Sequence, residues 1–200
     1  MFDDPPAGPP PRQPVAPCDP GVPHSFFFAV VLSGTHVAQM RDEAVRLDRM
    51  LGVGGRVLEA ERLHVSLHAV GACIGVRPEA DIARWCRAGN TVRCAPFDVR
   101  FDRVATFGGR SNPLVLKSSD DAGVAGLLAL HQTLGMALAD TGEEIRRQRI
   151  TPHMTLSYGG LRIAETLIES VRWQAGELVL IDSHVGAHRH EVLGRWALGA

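Results

Sequence analysis

The stretch LHVSLHAVG, residues 63–71, alternates apolar and polar side chains with the period of a β-strand. Side chains two positions apart share a face of a strand, so His64 and Ser66 point together while Val65 and Leu67 point to the opposite face. Simple alternation also places His68 on the His64 face. The stretch predicts a half-buried strand that presents an imidazole beside a hydroxyl.

A second copy of this pattern occurs in HMTLSYGG, residues 153–160. The copies agree at the histidine, at the hydroxyl residue two positions on, at the next leucine, and at the glycine seven positions after the histidine. His153 and Thr155 therefore point together, as His64 and Ser66 do. A helix-containing segment precedes each copy, so the repeat predicts a duplicated lobe about a pseudo-two-fold axis.

Two such strands facing each other across a cleft would offer two imidazoles and two hydroxyls. One neutral histidine can remove a proton while a protonated histidine delivers another, which suits displacement at a phosphorus atom. The hydroxyls would hold the non-bridging phosphate oxygens. This chemistry requires no metal ion.

The H-x-[ST]-L pair, HVSL at 64–67 and HMTL at 153–156, resembles the twin motif of the 2H phosphoesterase superfamily. It is similar in particular to the bacterial RNA 2′,3′-cyclic phosphodiesterases, also called 2′-5′ RNA ligases or LigT-like proteins. The supporting segments are RL at 62–63, FDVRFDRVATFGG at 97–109, TP at 151–152 and LVLIDSHVGAHRHEVLGRWAL at 178–198. The resemblance implies an α+β fold with a bilobal pseudo-two-fold duplication, in which two antiparallel sheets line a V-shaped cleft and helices lie outside.

The resemblance also implies opening of a 2′,3′-cyclic phosphate at an RNA or nucleotide 3′ end to a 2′-phosphate, without a cofactor. By analogy, His64 would protonate the departing 3′ oxygen and His153 would activate water, although the near symmetry of the motifs allows these roles to be exchanged. Ser66 and Thr155 would bind phosphate oxygens. In reverse, with a 5′-hydroxyl strand as nucleophile, the site would form a 2′-5′ linkage.

Tyr158, His68 and an arginine before the second motif are further candidates for substrate binding. Tyr158 stands where some relatives carry an arginine, so a phosphate clamp would come from Arg147 or Arg149 instead. Tyr158 would then either stack a base or, since alternation places it opposite His153, pack in the core. His68 would extend the site, although we favour a place behind the residues that touch the substrate or at the surface.

Two other functions remain open. One is a 2H enzyme that acts on a small cyclic nucleotide or on ADP-ribose cyclic phosphate. The other is a non-catalytic module that binds RNA ends.

Charge and metal-ligand patterns narrow the class of protein. Twenty arginines and one lysine leave a net charge of −1, which argues against a broad, non-specific DNA-binding surface. The four cysteines form no C-x-x-C pair. His184, His188 and His190 have no helical H-x-x-x-H spacing and no evident acidic third ligand, so we expect no metal site there. His188 and His190 are predicted to lie in a polar turn.

The remaining sequence predicts one folded domain over residues 24–200 after a disordered Pro-rich tail over residues 1–23, which holds nine of the thirteen prolines. We expect a cytoplasmic location, because no signal peptide or long apolar run is present. We also expect a monomer. The predicted helices are 35–52, 77–87, 121–142 and 164–170, and the predicted strands are 24–33, 63–71, 97–107, 113–118, 152–159, 176–183 and 192–198.

Overall fold

The computed structural model describes residues 21–109, 111–144 and 150–199. Almost all of the predicted tail lies outside these residues, as do Arg147 and Arg149. The strands are β1 (Pro23–Val31), β2 (Arg56–Val57), β3 (His64–Ile74), β4 (Phe97–Thr106), β5 (Leu114–Lys117), β6 (His153–Tyr158), β7 (Thr166–Ala175), β8 (Glu177–His184) and β9 (Arg189–Ala197). The α-helices are α1 (His36–Met50), α2 (Glu79–Thr91) and α3 (Ala125–Asp140).

The strands form one antiparallel sheet in the order β7-β4-β5-β6-β3-β1-β8-β9, with β2 paired to β6. The two motif strands, β3 and β6, are neighbours, and one residue pair, Val65 opposite Met154, joins them. Three strands lie on each side of this pair. On the β3 side they are β1, β8 and β9, and on the β6 side they are β5, β4 and β7. The α+β class is confirmed, and the two predicted sheets are the halves of one continuous sheet.

One face of the sheet carries the apolar positions of the strands against the helices. Phe26 and Phe28 of β1 are fully buried, and the Phe26 ring lies 5.4 Å from that of Trp85 on α2. Val65 and Met154 are also fully buried. Slipping a strand by one residue would exchange its two faces, so this burial fixes the register that leaves the motif histidines on the other face.

A β-bulge interrupts both motif strands at the same place. In the pairing of β3 with β1 the register shifts at Leu67, and in the pairing of β6 with β5 it shifts at Leu156. At each bulge two successive side chains are buried, Leu67 with His68 and Leu156 with Ser157. The alternation of the motif therefore ends immediately after the hydroxyl residue.

His68 is the residue that the first bulge displaces. Its partner in the register is the core residue Phe28, its side chain is buried, and its ring stacks on His131 of α3 at 3.9 Å. The Nε2 of His68 donates to the carbonyl oxygen of His131 at 2.9 Å. The prediction that His68 shares the His64 face was wrong, because the extra residue turns His68 toward α3.

The segment predicted as a helix over residues 164–170 is also different in the structure. It belongs to β7, an edge strand that pairs with β4 from Thr166 opposite Val104 to Ala175 opposite Phe97. Trp173 and Ala175 are buried whereas Gln174 between them is exposed, which is the period of a strand. The backbone of β4 supplies hydrogen-bond partners that a local sequence window cannot contain.

The helix α3 has the composition of a candidate membrane span. The segment Ala122–Asp140 has a mean hydropathy of 1.4, and 39% of this window is buried inside the fold. Leu127, Leu130, Leu134 and Leu138 recur at helical spacing and are fully buried. Packing against the sheet accounts for the apolar character of these four positions.

A prediction follows from the close packing of α2 against β9. A β-carbon at Gly89 would overlap the Trp196 ring, whose Nε1 donates to Asn90 Oδ1 at 2.7 Å. We expect Gly89→Ala to lower the free energy of unfolding by about 1–3 kcal/mol, although alanine is ordinarily the better helix former. Urea unfolding measures the change. Adding Gly89→Ala to a Trp196→Ala background should cost much less, and an equal cost in both backgrounds would contradict the packing argument.

A second prediction concerns acid stability. Burial, assisted by the neighbouring His68, lowers the pKa of His131 to about 4. Between about pH 6.5 and pH 4 the unfolded chain therefore binds a proton that the folded chain does not, and stability falls as the pH falls. The slope for one fully shifted group is about 1.4 kcal/mol per pH unit, and the partial exposure of His131 reduces it. His131→Phe keeps a stacking ring, so it should flatten the change in unfolding free energy between pH 7 and pH 5. An unchanged dependence of the unfolding free energy on pH in His131→Phe would contradict this prediction.

Candidate active site

The same backbone contact holds the two motif histidines. Nδ1 of His64 donates to the carbonyl oxygen of Arg62 at 2.7 Å, and Nδ1 of His153 donates to the carbonyl oxygen of Thr151 at 2.8 Å. A carbonyl oxygen only accepts hydrogen bonds, so these contacts assign a proton to each Nδ1. The Nε2 of each neutral ring is then the nitrogen that can exchange a proton with a bound molecule.

The two hydroxyl residues complete a crossed arrangement. Val65 lies opposite Met154, and the two strands are antiparallel. His64, the residue before Val65, therefore lies toward Thr155, and Ser66, the residue after it, lies toward His153. Ser66 is exposed and Thr155 is half-buried. Within the described part of the chain, neither hydroxyl makes a hydrogen bond. Both are therefore available as donors to a bound anion.

A phenyl ring packs beside each histidine. The Phe27 ring lies 5.1 Å from the His64 ring, and the Phe107 ring lies 4.8 Å from the His153 ring. Phe27 projects from β1 on the cleft face, next to the small apolar cluster of Ala29, Val179 and Ile181. Each imidazole is thus flanked by an apolar wall that limits its access to water.

A third histidine, His190, lies beside His64. Its ring is 5.4 Å from the His64 ring in an edge-to-face arrangement and 5.9 Å from the Phe27 ring. Sequence analysis placed His190 in a turn, which was wrong, because His190 is in β9 opposite Ser183. His188 does lie in the β8–β9 turn, with a φ of 53°. The two sequence motifs gave no indication of His190, because His190 lies outside both of them and approaches His64 only in the folded chain.

Two histidines on the His64 side of the cleft, His64 and His190, have lowered pKa values. Burial lowers the pKa of His64 to about 4, the charges of His153 and Arg62 act in the same direction, and the Arg62 carbonyl partly opposes them. The pKa of His190 is also lowered to about 4, by burial first and then by the neighbouring His64, Arg62 and His184. At pH 7 both His64 and His190 are therefore neutral in the free protein.

A separate polar cluster lies on the helix-covered face of the sheet. Nδ1 of His24 contacts both oxygens of Asp182, at 2.9 and 3.0 Å, and potential ligand atoms of His24, Asp182 and His184 lie within 4.8 Å of one another. The three residue types suit a metal ion, but the Arg77 guanidinium already lies 3.2 Å from Asp182 and also binds Glu191. The cluster is an ion network with its own cation. The sequence pattern missed it because His24 and Asp182 meet only through the pairing of β1 with β8.

Of the other predicted substrate-binding residues, the structure describes Tyr158 but not Arg149. Tyr158 is half-buried, pairs with Arg56 of β2 and packs at the edge of the core. The bulge at Leu156 interrupts the alternation that placed Tyr158 opposite His153. Arg149 lies outside the described residues.

Known structures share this architecture. A LigT structure from E. coli, complexed with 3′-AMP, aligns with a TM-score of 0.68 and 24% identity over 89% of this chain and 99% of that chain. A protein from Thermus thermophilus aligns with a TM-score of 0.67 and 20% identity, over 88% and 98% of the two chains. A structure described as a phosphoesterase aligns at 0.64 and 25% identity, over 89% and 99%.

No curated protein matches the chain significantly. The sequence model of the 2′-5′ RNA ligase superfamily matches residues 56–187, which include both histidine motifs and most of the strands that carry the cleft. The predicted family resemblance is thereby confirmed, and the chain belongs to the 2′-5′ RNA ligase superfamily.

Proposed function

We propose that this protein hydrolyses 2′,3′-cyclic phosphate at the 3′ end of RNA or of a nucleotide and leaves a 2′-phosphate. The observation that carries the proposal is the crossed pair of histidines and unengaged hydroxyls around Val65 and Met154. Such a site can bind a phosphate between the two Nε2 atoms. We further propose that the protein acts as a cytoplasmic monomer.

In the proposed reaction, the hydroxyls of Ser66 and Thr155 donate hydrogen bonds to the non-bridging phosphate oxygens. One Nε2 removes a proton from water as the water oxygen forms a bond to phosphorus. The bond between phosphorus and the 3′ oxygen breaks, and the other Nε2–H gives its proton to that oxygen. The products are a 2′-phosphate and a free 3′-hydroxyl, with one proton moved from one histidine to the other.

The electrostatics of the cleft favour one assignment of the two roles. His64 is neutral at pH 7 because burial and the charges of Arg62 and His153 lower its pKa to about 4. A neutral imidazole can accept the proton of water, so His64 is the proposed base and His153 the proposed acid. This exchanges the roles that family analogy implied.

The relatives support a nucleotide substrate. The E. coli LigT structures include complexes with 3′-AMP and with ATP. We propose that the cleft of this chain likewise accepts a nucleotide, with its phosphate between His64 and His153. The same site would form a 2′-5′ linkage if the 5′-hydroxyl of a second strand replaced water as the nucleophile: its oxygen bonds to phosphorus, the bond to the 3′ oxygen breaks, and the 3′ oxygen takes a proton.

Replacing either histidine tests the proposal. We expect His64→Ala and His153→Ala each to lower turnover of 2′,3′-cyclic AMP and of a cyclic-phosphate-ended oligonucleotide by about 10²- to 10⁴-fold. Phosphorus NMR in the presence of a chelator follows formation of the 2′-phosphate. His36→Ala, at the start of α1, is the matched control, and circular dichroism verifies that each variant is folded. Full turnover by either motif variant would refute two-histidine catalysis.

The pH dependence tests the assignment of acid and base. If His64 is the base, kcat/KM should fall as the pH drops through about 4, because protonation then removes the free Nε2. If His64 were the acid, kcat/KM would instead decline as the pH rises above about 4. A pH–rate profile on 2′,3′-cyclic AMP distinguishes the two, because the cyclic phosphodiester keeps its charge over this range.

A further inference from the structure

The His64 side of the cleft carries a guanidinium and a second imidazole, those of Arg62 and His190. Arg62 precedes His64 by two positions, at the end of a short 3-10 turn (Ala60–Arg62) that leads into β3. The corresponding residue of the second motif is Thr151, whose carbonyl oxygen plays the same part toward His153. The backbone roles are equivalent, but the side chain at this position is a guanidinium in the first motif and a hydroxyl in the second.

Among the residues that the structure describes, none supplies a counter-charge to the Arg62 side chain. Its Nε is buried and has no hydrogen-bond partner. Within the described ranges, no carboxylate lies within ion-pairing distance of its guanidinium, and no side chain accepts from it. A partly buried guanidinium of this kind is costly unless an anion or another acceptor completes it.

His190 resembles Arg62 in having a buried nitrogen that makes no hydrogen bond to a described residue. Its Nδ1 is buried without a partner, although its ring faces His64 and Phe27. The charge of Arg62 depresses the pKa of both His64 and His190, which places these three groups in one neighbourhood. An acceptor in this neighbourhood would satisfy donors on two of the three residues.

Hydrogen bonds and ion pairs of the adjacent residue, Glu191, fix the position of His190 in the strand. The next residue of β9, Glu191, pairs with Asp182 of β8 and accepts a hydrogen bond from Arg77 Nη1 at 3.1 Å. Arg77 also contacts Asp182 at 3.2 Å, and both carboxylates lie on the helix-covered face. Because this ion network holds the start of β9 in register, His190 must project from the opposite face, toward His64.

We propose that Arg62 and His190 form, together with His64, a phosphate-binding site on one wall of the cleft. A guanidinium presents a planar fork of donors that matches phosphate oxygens, and a neutral imidazole adds one further donor. The bound group is a phosphate of the nucleic acid substrate, either the cyclic phosphate itself or the neighbouring internucleotide phosphate. This inference deepens the proposed function and rests on it for the identity of the substrate, but phosphate binding can be measured without turnover.

The first experiment titrates the protein with inorganic phosphate and with 2′-AMP, using calorimetry or phosphorus NMR. Arg62→Gln keeps the backbone carbonyl that holds His64, and should weaken binding of both ligands about 10- to 100-fold. Arg62→Lys should retain part of the affinity, and Arg49→Gln near the end of α1 should leave it unchanged. Unaltered binding of both ligands by folded Arg62→Gln would overturn the proposal, whether or not the protein turns over a cyclic phosphate.

The second experiment asks which phosphate the site binds. His190→Phe preserves an aromatic ring against Phe27 but removes the nitrogens, and His36→Phe is its control. We expect a several-fold higher KM for His190→Phe and a larger rise for Arg62→Gln. An equal rise for 2′,3′-cyclic AMP and for a dinucleotide with a cyclic-phosphate end assigns the site to the cyclic phosphate. A larger rise for the dinucleotide assigns it to the internucleotide phosphate, and an unchanged KM for both substrates in both variants refutes the site.

Discussion

The contact between Val65 and Met154 is the constraint on which the rest of the site depends. It is the one pairing through which the two motif strands join the halves of the sheet, and both side chains are fully buried. Their burial on the helix side forces the residues before and after each of them onto the cleft side. An antiparallel register then sets each histidine across from the hydroxyl of the other motif. Packing in the core thus determines the geometry of the polar groups.

Backbone hydrogen bonds then orient the two histidine rings. Each histidine ring is tied through Nδ1 to the carbonyl oxygen two residues earlier, so the same local strand geometry orients both rings. Each motif strand then bulges at the leucine after its hydroxyl residue. The bulges turn His68 and Ser157 into the interior, where Ser157 donates to the buried Asp48 at 3.1 Å. The polar face of each motif strand is therefore confined to the histidine and the hydroxyl residue two positions on.

Electrostatics break the symmetry that the backbone establishes. Arg62 and Thr151 are equivalent in backbone role, but only Arg62 brings a charge, and His190 adds a second imidazole beside His64. Burial and this positive neighbourhood keep His64 neutral at pH 7. Two motifs of nearly the same sequence therefore have different neighbours, a guanidinium and a second imidazole beside His64 and the Phe107 ring beside His153.

The sequence by itself determined the class of fold, the two motif strands and the face shared by each histidine with its hydroxyl, because these depend on periodicities within a few residues. Only the tertiary structure decided the orientation of His68, the strand at Thr166–Ala175 and the approach of His190 to His64. A bulge requires a partner strand, an edge strand requires the neighbouring β4, and His190 is far from His64 along the chain. Each of these depends on hydrogen bonds and packing between distant segments, which a local pattern of side chains does not contain.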